Sequence, residues 1–233
     1  MKLVVTDITR FKDNDNVCMA LLDVESCKCH RPLPYATKAI IDQKGISPGM
    51  IVDATVIPNE AAVRPHVEDC LFVNDLWFER MGEVSFKDLL ERSAVDSVKE
   101  AFSGMITPKN RYVPLDSPTD FSIRTVRIAP LSLSLSVVGT DEKKLRLSFT
   151  DKTGETFRHT PIADLNFHSC ALKYVQQDRL EDFNTALAGG EEVFMRVGLS
   201  RAYTGKNGKQ GYWMQANGIY CFPGCFWVEG CCI

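Results

Sequence analysis

The chain has 233 residues, 45% of them hydrophobic and 24% charged, and a formal net charge of −3. These values describe a folded chain with a sizeable core and exclude a disordered, collagen-like or coiled-coil protein. The negative balance also excludes binding of nucleic acid by overall charge, so any such binding requires a local basic patch.

The opening MKLVVTDITRFKDND carries no run long enough for a signal segment, and no apolar stretch approaches the roughly 18 residues that cross a bilayer. A cytoplasmic, non-membrane protein is expected, with its nine cysteines reduced. The runs LVVTDI and VCMALLDV read as two strands with a polar turn between them, followed by an extended segment at Cys29 to Leu33. The Ser47-Pro48-Gly49 turn leads into a nearly continuous apolar strand from Met50 to Ile57. The run from Arg64 to Asp69 breaks the pattern. Ser85 then reads as the N-cap of a helix, because Phe86, Leu89, Leu90, Val95, Val98 and Phe102 broadly follow helical spacing up to Gly104.

Pro108, Pro114 and Pro118 fall in a stretch of little periodicity, which is read as a linker over 105–120. Strands resume at Phe121 to Ile128, Leu131 to Val138 and Leu145 to Thr150, with a hairpin turn at Asp151 to Gly154 before Glu155 to Arg158. A helix is expected from Gln177 to Ala188, ended by Gly189-Gly190. The last strong pattern is a β-hairpin from Val193 to Tyr220 around the tip TGKNGKQG. The expected fold is therefore mainly β with a few helices: two OB-like small β-barrels in tandem, 1–104 and 121–233. A single two-layer α+β domain accounts for the same elements.

The hairpin interleaves Arg196, Arg201, Lys206 and Lys209 with Tyr203, Tyr212 and Trp213. Cations that neutralise phosphate beside rings that stack on bases suit single-stranded nucleic acid. Strand alternation puts Tyr212 and Trp213 on opposite faces, so one set lines a surface and the other enters a core. Arg31, Arg64 and His66, each beside a proline, are further candidates for gripping phosphate, although a salt-bridged loop packing the halves together explains them as well.

Cys221 and Cys225 have the spacing of a zinc knuckle, and Cys27, Cys29, Cys231 and Cys232 are possible further ligands, but thiols without metal are the expected state. No nucleophile elbow, phosphate loop, zinc-protease helix or dinucleotide turn is present, and no catalytic residue is assigned.

The chain resembles the dual OB-containing family of bacterial conflict systems. The resemblance is carried by Cys18-Met19-Ala20, Arg31-Pro32, Pro65-His66-Val67-Glu68-Asp69, Gly198-Leu199-Ser200-Arg201 and Trp213-Met214-Gln215-Ala216-Asn217-Gly218-Ile219-Tyr220. It implies two OB-like units and a non-enzymatic nucleic-acid-binding or sensing role in defence. Two other readings stand beside it: a protein-interaction module that docks through the hairpin and the tail from Phe222 to Trp227, and a barrel pocket for a nucleotide-like small molecule.

Overall fold

A computed structural model describes residues 1–11, 15–73, 78–139, 144–205 and 208–224. The protein is mainly β, with two curled half-barrel sheets that form two β-barrel-like units. In the first half, strands β1 (Lys2–Arg10), β2 (Asn16–Asp23), β3 (Cys29–Leu33), β4 (Ala36–Thr37), β5 (Met50–Asp53), β6 (Val56–Pro58), β7 (Asp69–Phe72) and β8 (Phe78–Arg80) form one sheet. Its order is β6-β7-β3-β2-β1-β5-β8, with β4 paired to β2. Helix α1 (Lys38–Lys44) lies between β4 and β5 and is capped by Thr37, whose hydroxyl accepts from Ile40 N at 3.3 Å.

Helix α2 (Glu83–Ser93) begins earlier than Ser85, with Gly82 as N-cap and no side-chain capping bond. The apolar periodicity that suggested one helix to Gly104 is interrupted by β9 (Ala94–Val95), which pairs in parallel with a strand of the second half. Ser97 then caps the short α3 (Val98–Ala101), accepting from Glu100 N at 3.0 Å.

The second half contains β10 (Tyr112–Pro114), β11 (Ile123–Ile128), β12 (Ser134–Val138), β13 (Lys144–Thr150) and β14 (Thr156–Pro161). Helices α4 (Leu165–Gln176) and α5 (Leu180–Ala188) follow, then β15 (Glu192–Leu199), β16 (Tyr203–Thr204) and β17 (Gln210–Phe222). One sheet runs β10-β17-β15-β11-β9 with β16 on β17, and β12-β13-β14 forms a second. The stretch 105–120 is not a free linker. Ile106 and Val113 are buried in the second core, and β10 pairs with β17, so this stretch belongs to the second unit.

Two cores fill the units, and a third apolar cluster joins them. Val4 and Leu22 from the first half pack with Phe86, Leu89 and Leu90 of α2 and with Phe194, Tyr220 and Phe222 of the second. Two bulges bring charge to the same junction. In β1, Leu3 and Val5 face the first core while Val4 faces the junction; the register shift between Val5 and Asp7 then turns Asp7 to the junction side and returns Ile8 to the core. In the β15–β17 pair the shift leaves Asn217 unpaired, so Gly218 lies opposite Arg196. A Cβ on Gly218 would come within 2.9 Å of Thr6 O, so glycine permits this close approach of β1 to β17. Tyr220 Oη donates to the same carbonyl at 2.5 Å.

Candidate nucleic-acid interface

The bulges explain why Arg196 does not lie on a ligand-facing groove. On the β15 face opposite the second core it sits beside Phe194, and the first half covers that face, leaving Arg196 1% exposed. Its Nε donates to Asp7 Oδ2 at 2.9 Å, Nη1 to Thr125 Oγ1 at 3.0 Å and Nη2 to Cys29 Sγ at 3.2 Å. Burial opposes its charge, but Asp7 and Cys29 outweigh burial and the guanidinium pKa is raised.

Arg31 is likewise buried. Its Nε donates to Asp69 Oδ1 at 2.6 Å and its Nη1 to Ser122 Oγ at 3.2 Å. Glu68 accepts from the Ser122 and Ile123 amides at 2.7 and 3.2 Å, so the Glu68-Asp69 pair fastens the start of β11 to the first half. Arg201 reaches the same carboxylate with two prongs, Nη1 to Oδ2 at 2.8 Å and Nη2 to Oδ1 at 3.0 Å, and its Nε donates to Tyr35 Oη. Burial works against the charge on Asp69, yet the bonds from Arg201 and Arg31 hold its carboxyl below the usual range. The Arg201 charge is therefore largely spent within the protein.

His66 is buried against Tyr212, ring to ring at 5.4 Å and 83°. Burial, reinforced by nearby Arg31 and Arg201, pushes its imidazole down to about 3, so it is neutral near pH 7 and brings no positive charge to a phosphate. Arg64 is exposed and pairs with Asp120 at 3.1 Å. The Pro65-to-Asp69 run is thus the salt-bridged packing loop that was the alternative reading of these residues.

Trp213, Tyr203 and Lys209 meet on the outer side of the sheet. Tyr112 lies opposite Trp213 in the β10–β17 register, and their rings stack at 5.0 Å and 26°. Lys209 Nζ lies over the Tyr112 ring at 5.1 Å, and Trp213 Nε1 donates to Tyr203 O at 3.1 Å. Both stacked rings are half-buried, whereas Tyr203 is 58% exposed. The site depends on Gly211, where a Cβ would lie 2.3 Å from Val113 O and 2.7 Å from Tyr112 Cδ2. Trp213 and Tyr212 indeed diverge: Trp213 joins this platform and Tyr212 turns to His66. Tyr112 was missed because prolines flank its segment; the alternation in Arg111-Tyr112-Val113 was the available signal. Lys206 lies outside the described residues.

No protein-family model matches the chain, and no curated protein or solved structure matches it either. The functional reading therefore rests on the platform and its chemistry. Cys221 lies in the second core, and Cys29 Sγ accepts from Arg196. Cys225, Cys231 and Cys232 lie outside the described residues.

Proposed function

We propose that this protein binds single-stranded nucleic acid on the β10–β17 face, with Tyr112 and Trp213 as a stacking platform and Tyr203 and Lys209 at its margin. The observation that carries the reading is the stacked Tyr112–Trp213 pair with a lysine over one ring. A flat, half-exposed aromatic surface accepts any base, and an adjacent cation attracts the backbone. With Arg31 and Arg196 enclosed and Arg201 bound to Asp69, stacking carries more of the affinity and charge less than the hairpin sequence suggests.

The two β-barrel-like units are read as OB-like, in keeping with the dual OB-containing family, and the role as that of a non-enzymatic cytoplasmic sensor or accessory in bacterial defence. Commitment of the buried acids and arginines to one another supports binding over catalysis. Fluorescence anisotropy with labelled single-stranded and duplex DNA and RNA tests this reading. Single strands of either sugar should bind more tightly than duplex of equal length. Equal or tighter binding to duplex would defeat it, as would no binding at low salt.

A further inference from the structure

A cleft of about 340 Å³ lies between the halves, away from the stacking platform. The turn at Ser26 to Cys29 and Val67-Glu68 line it from the first half; Ser93, Phe121 and Ile123 to Thr125 line it from the second, with Arg196 at its base. Its size falls within the range of small-molecule pockets, about 300–1,000 Å³. Its lining includes the apolar Val67, Phe121 and Ile123, and Phe121 is 45% exposed.

The charges facing the cleft do not cancel. Arg196 is balanced by Asp7 and Glu68 by Arg31, whose Nη2 lies 4.0 Å from Oε2, while the Glu68 oxygens accept from Ser122 and Ile123. Lys28 is exposed and Arg124 is half-buried, and both line the cleft. The Arg124 guanidinium lies over the Phe121 ring at 5.1 Å, and its Nε is buried without a hydrogen-bond partner. The enclosed Nε is out of reach of a ligand, but Arg124 brings positive charge to the cleft where it lines it, and a guanidinium there can make charge-assisted bonds to an anion.

We propose that this cleft binds a mononucleotide-class ligand, its planar ring against Phe121 and its phosphate held by Lys28 and the part of Arg124 that lines the cleft. The site is independent of the stacking platform and remains whether or not the protein binds single strands. It would make the junction between the halves the place where a small signal is read.

Thermal unfolding of the full chain with each of the four ribonucleoside monophosphates, adenosine alone and inorganic phosphate alone provides the test. A bound monophosphate at about ten times its Kd should raise Tm by about 3–6 °C, and neither adenosine nor phosphate should match it. Arg124→Gln should abolish the shift. Lys28→Glu, at an exposed position that folding does not depend on, should weaken it at least about tenfold in Kd, as expected for reversing one phosphate-facing charge. Single-strand affinity should remain unchanged in both variants. No shift with any monophosphate at millimolar concentration, an equal shift with phosphate alone, or a shift undiminished in Lys28→Glu would overturn the proposal.

Discussion

Removing the Asp7 carboxylate tests whether the halves form one cooperative unit. In Asp7→Ala the Arg196 guanidinium, 1% exposed, keeps Thr125 and Cys29 but loses the carboxylate it pairs with, whose Oδ2 lies 2.9 Å from Nε. Breaking a buried pair from one side costs about 3–5 kcal/mol, because the remaining charge is left uncompensated. For a chain of this length each kcal/mol lowers Tm by about 2–4 °C, so a fall of about 6–20 °C is expected. Replacing both partners with apolar residues, Asp7→Leu with Arg196→Met, removes the stranded charge and should recover most of that loss. Urea unfolding of the wild type, Asp7→Leu, Arg196→Met and the double variant, with Asp7→Ala alongside and followed by far-UV circular dichroism, measures the cycle. A loss below about 1 kcal/mol in Asp7→Ala, or a double variant no more stable than the weaker single, would refute the account of the junction.

Three further outcomes are expected. Gly211→Ala should displace Tyr112 and β10, because its Cβ would sit 2.3 Å from Val113 O; single-strand affinity should fall more than about tenfold, the scale of one lost base stack, with the Trp213 indole NMR resonance shifted. Asp164, which caps α4 by accepting from Phe167 N and also accepts from Ile219 N, is pushed up to about 7, chiefly by burial. The folded state therefore holds a proton that the unfolded state releases near pH 4, and the stability from this group is lost as pH rises from about 4 to 7. Asp164→Asn, which can still cap, should remove that component from the pH dependence of urea unfolding, and an unchanged profile would contradict the assignment. Finally, if Lys206 and Lys209 are the main phosphate contacts, log Kobs should fall against log salt with a slope of about −1.4; a slope steeper than about −3 would return the buried arginines to consideration.

Strand periodicity made most of the β framework legible, including the terminal hairpin and the divergence of Tyr212 from Trp213. The helices were read less well. α1 and α4 have short-range signals in Thr37 and Asp164, but only 7 residues follow Thr37 in α1, and α4 was obscured by the polar stretch after it. Arg196 shows why the site was only partly legible. Alternation with Val193, Met195 and Val197 places it off the second core, but a face opposite one core can be solvent or another domain, and periodicity does not distinguish them. The bulges that aim Asp7 and Arg196 at each other carry no sequence marker apart from Gly218. Tyr112 became part of the platform only through a long-range pairing 101 positions away, at Trp213.

The most direct measurement is the affinity of a labelled single-stranded oligonucleotide for the wild type, Trp213→Ala, Trp213→Phe and Tyr112→Ala. Loss of a base–aromatic stack is worth about 1–3 kcal/mol, so both alanine variants should bind about 5–150-fold more weakly, while Trp213→Phe retains most of the affinity. Undiminished binding by folded Trp213→Ala and Tyr112→Ala would contradict the stacking platform.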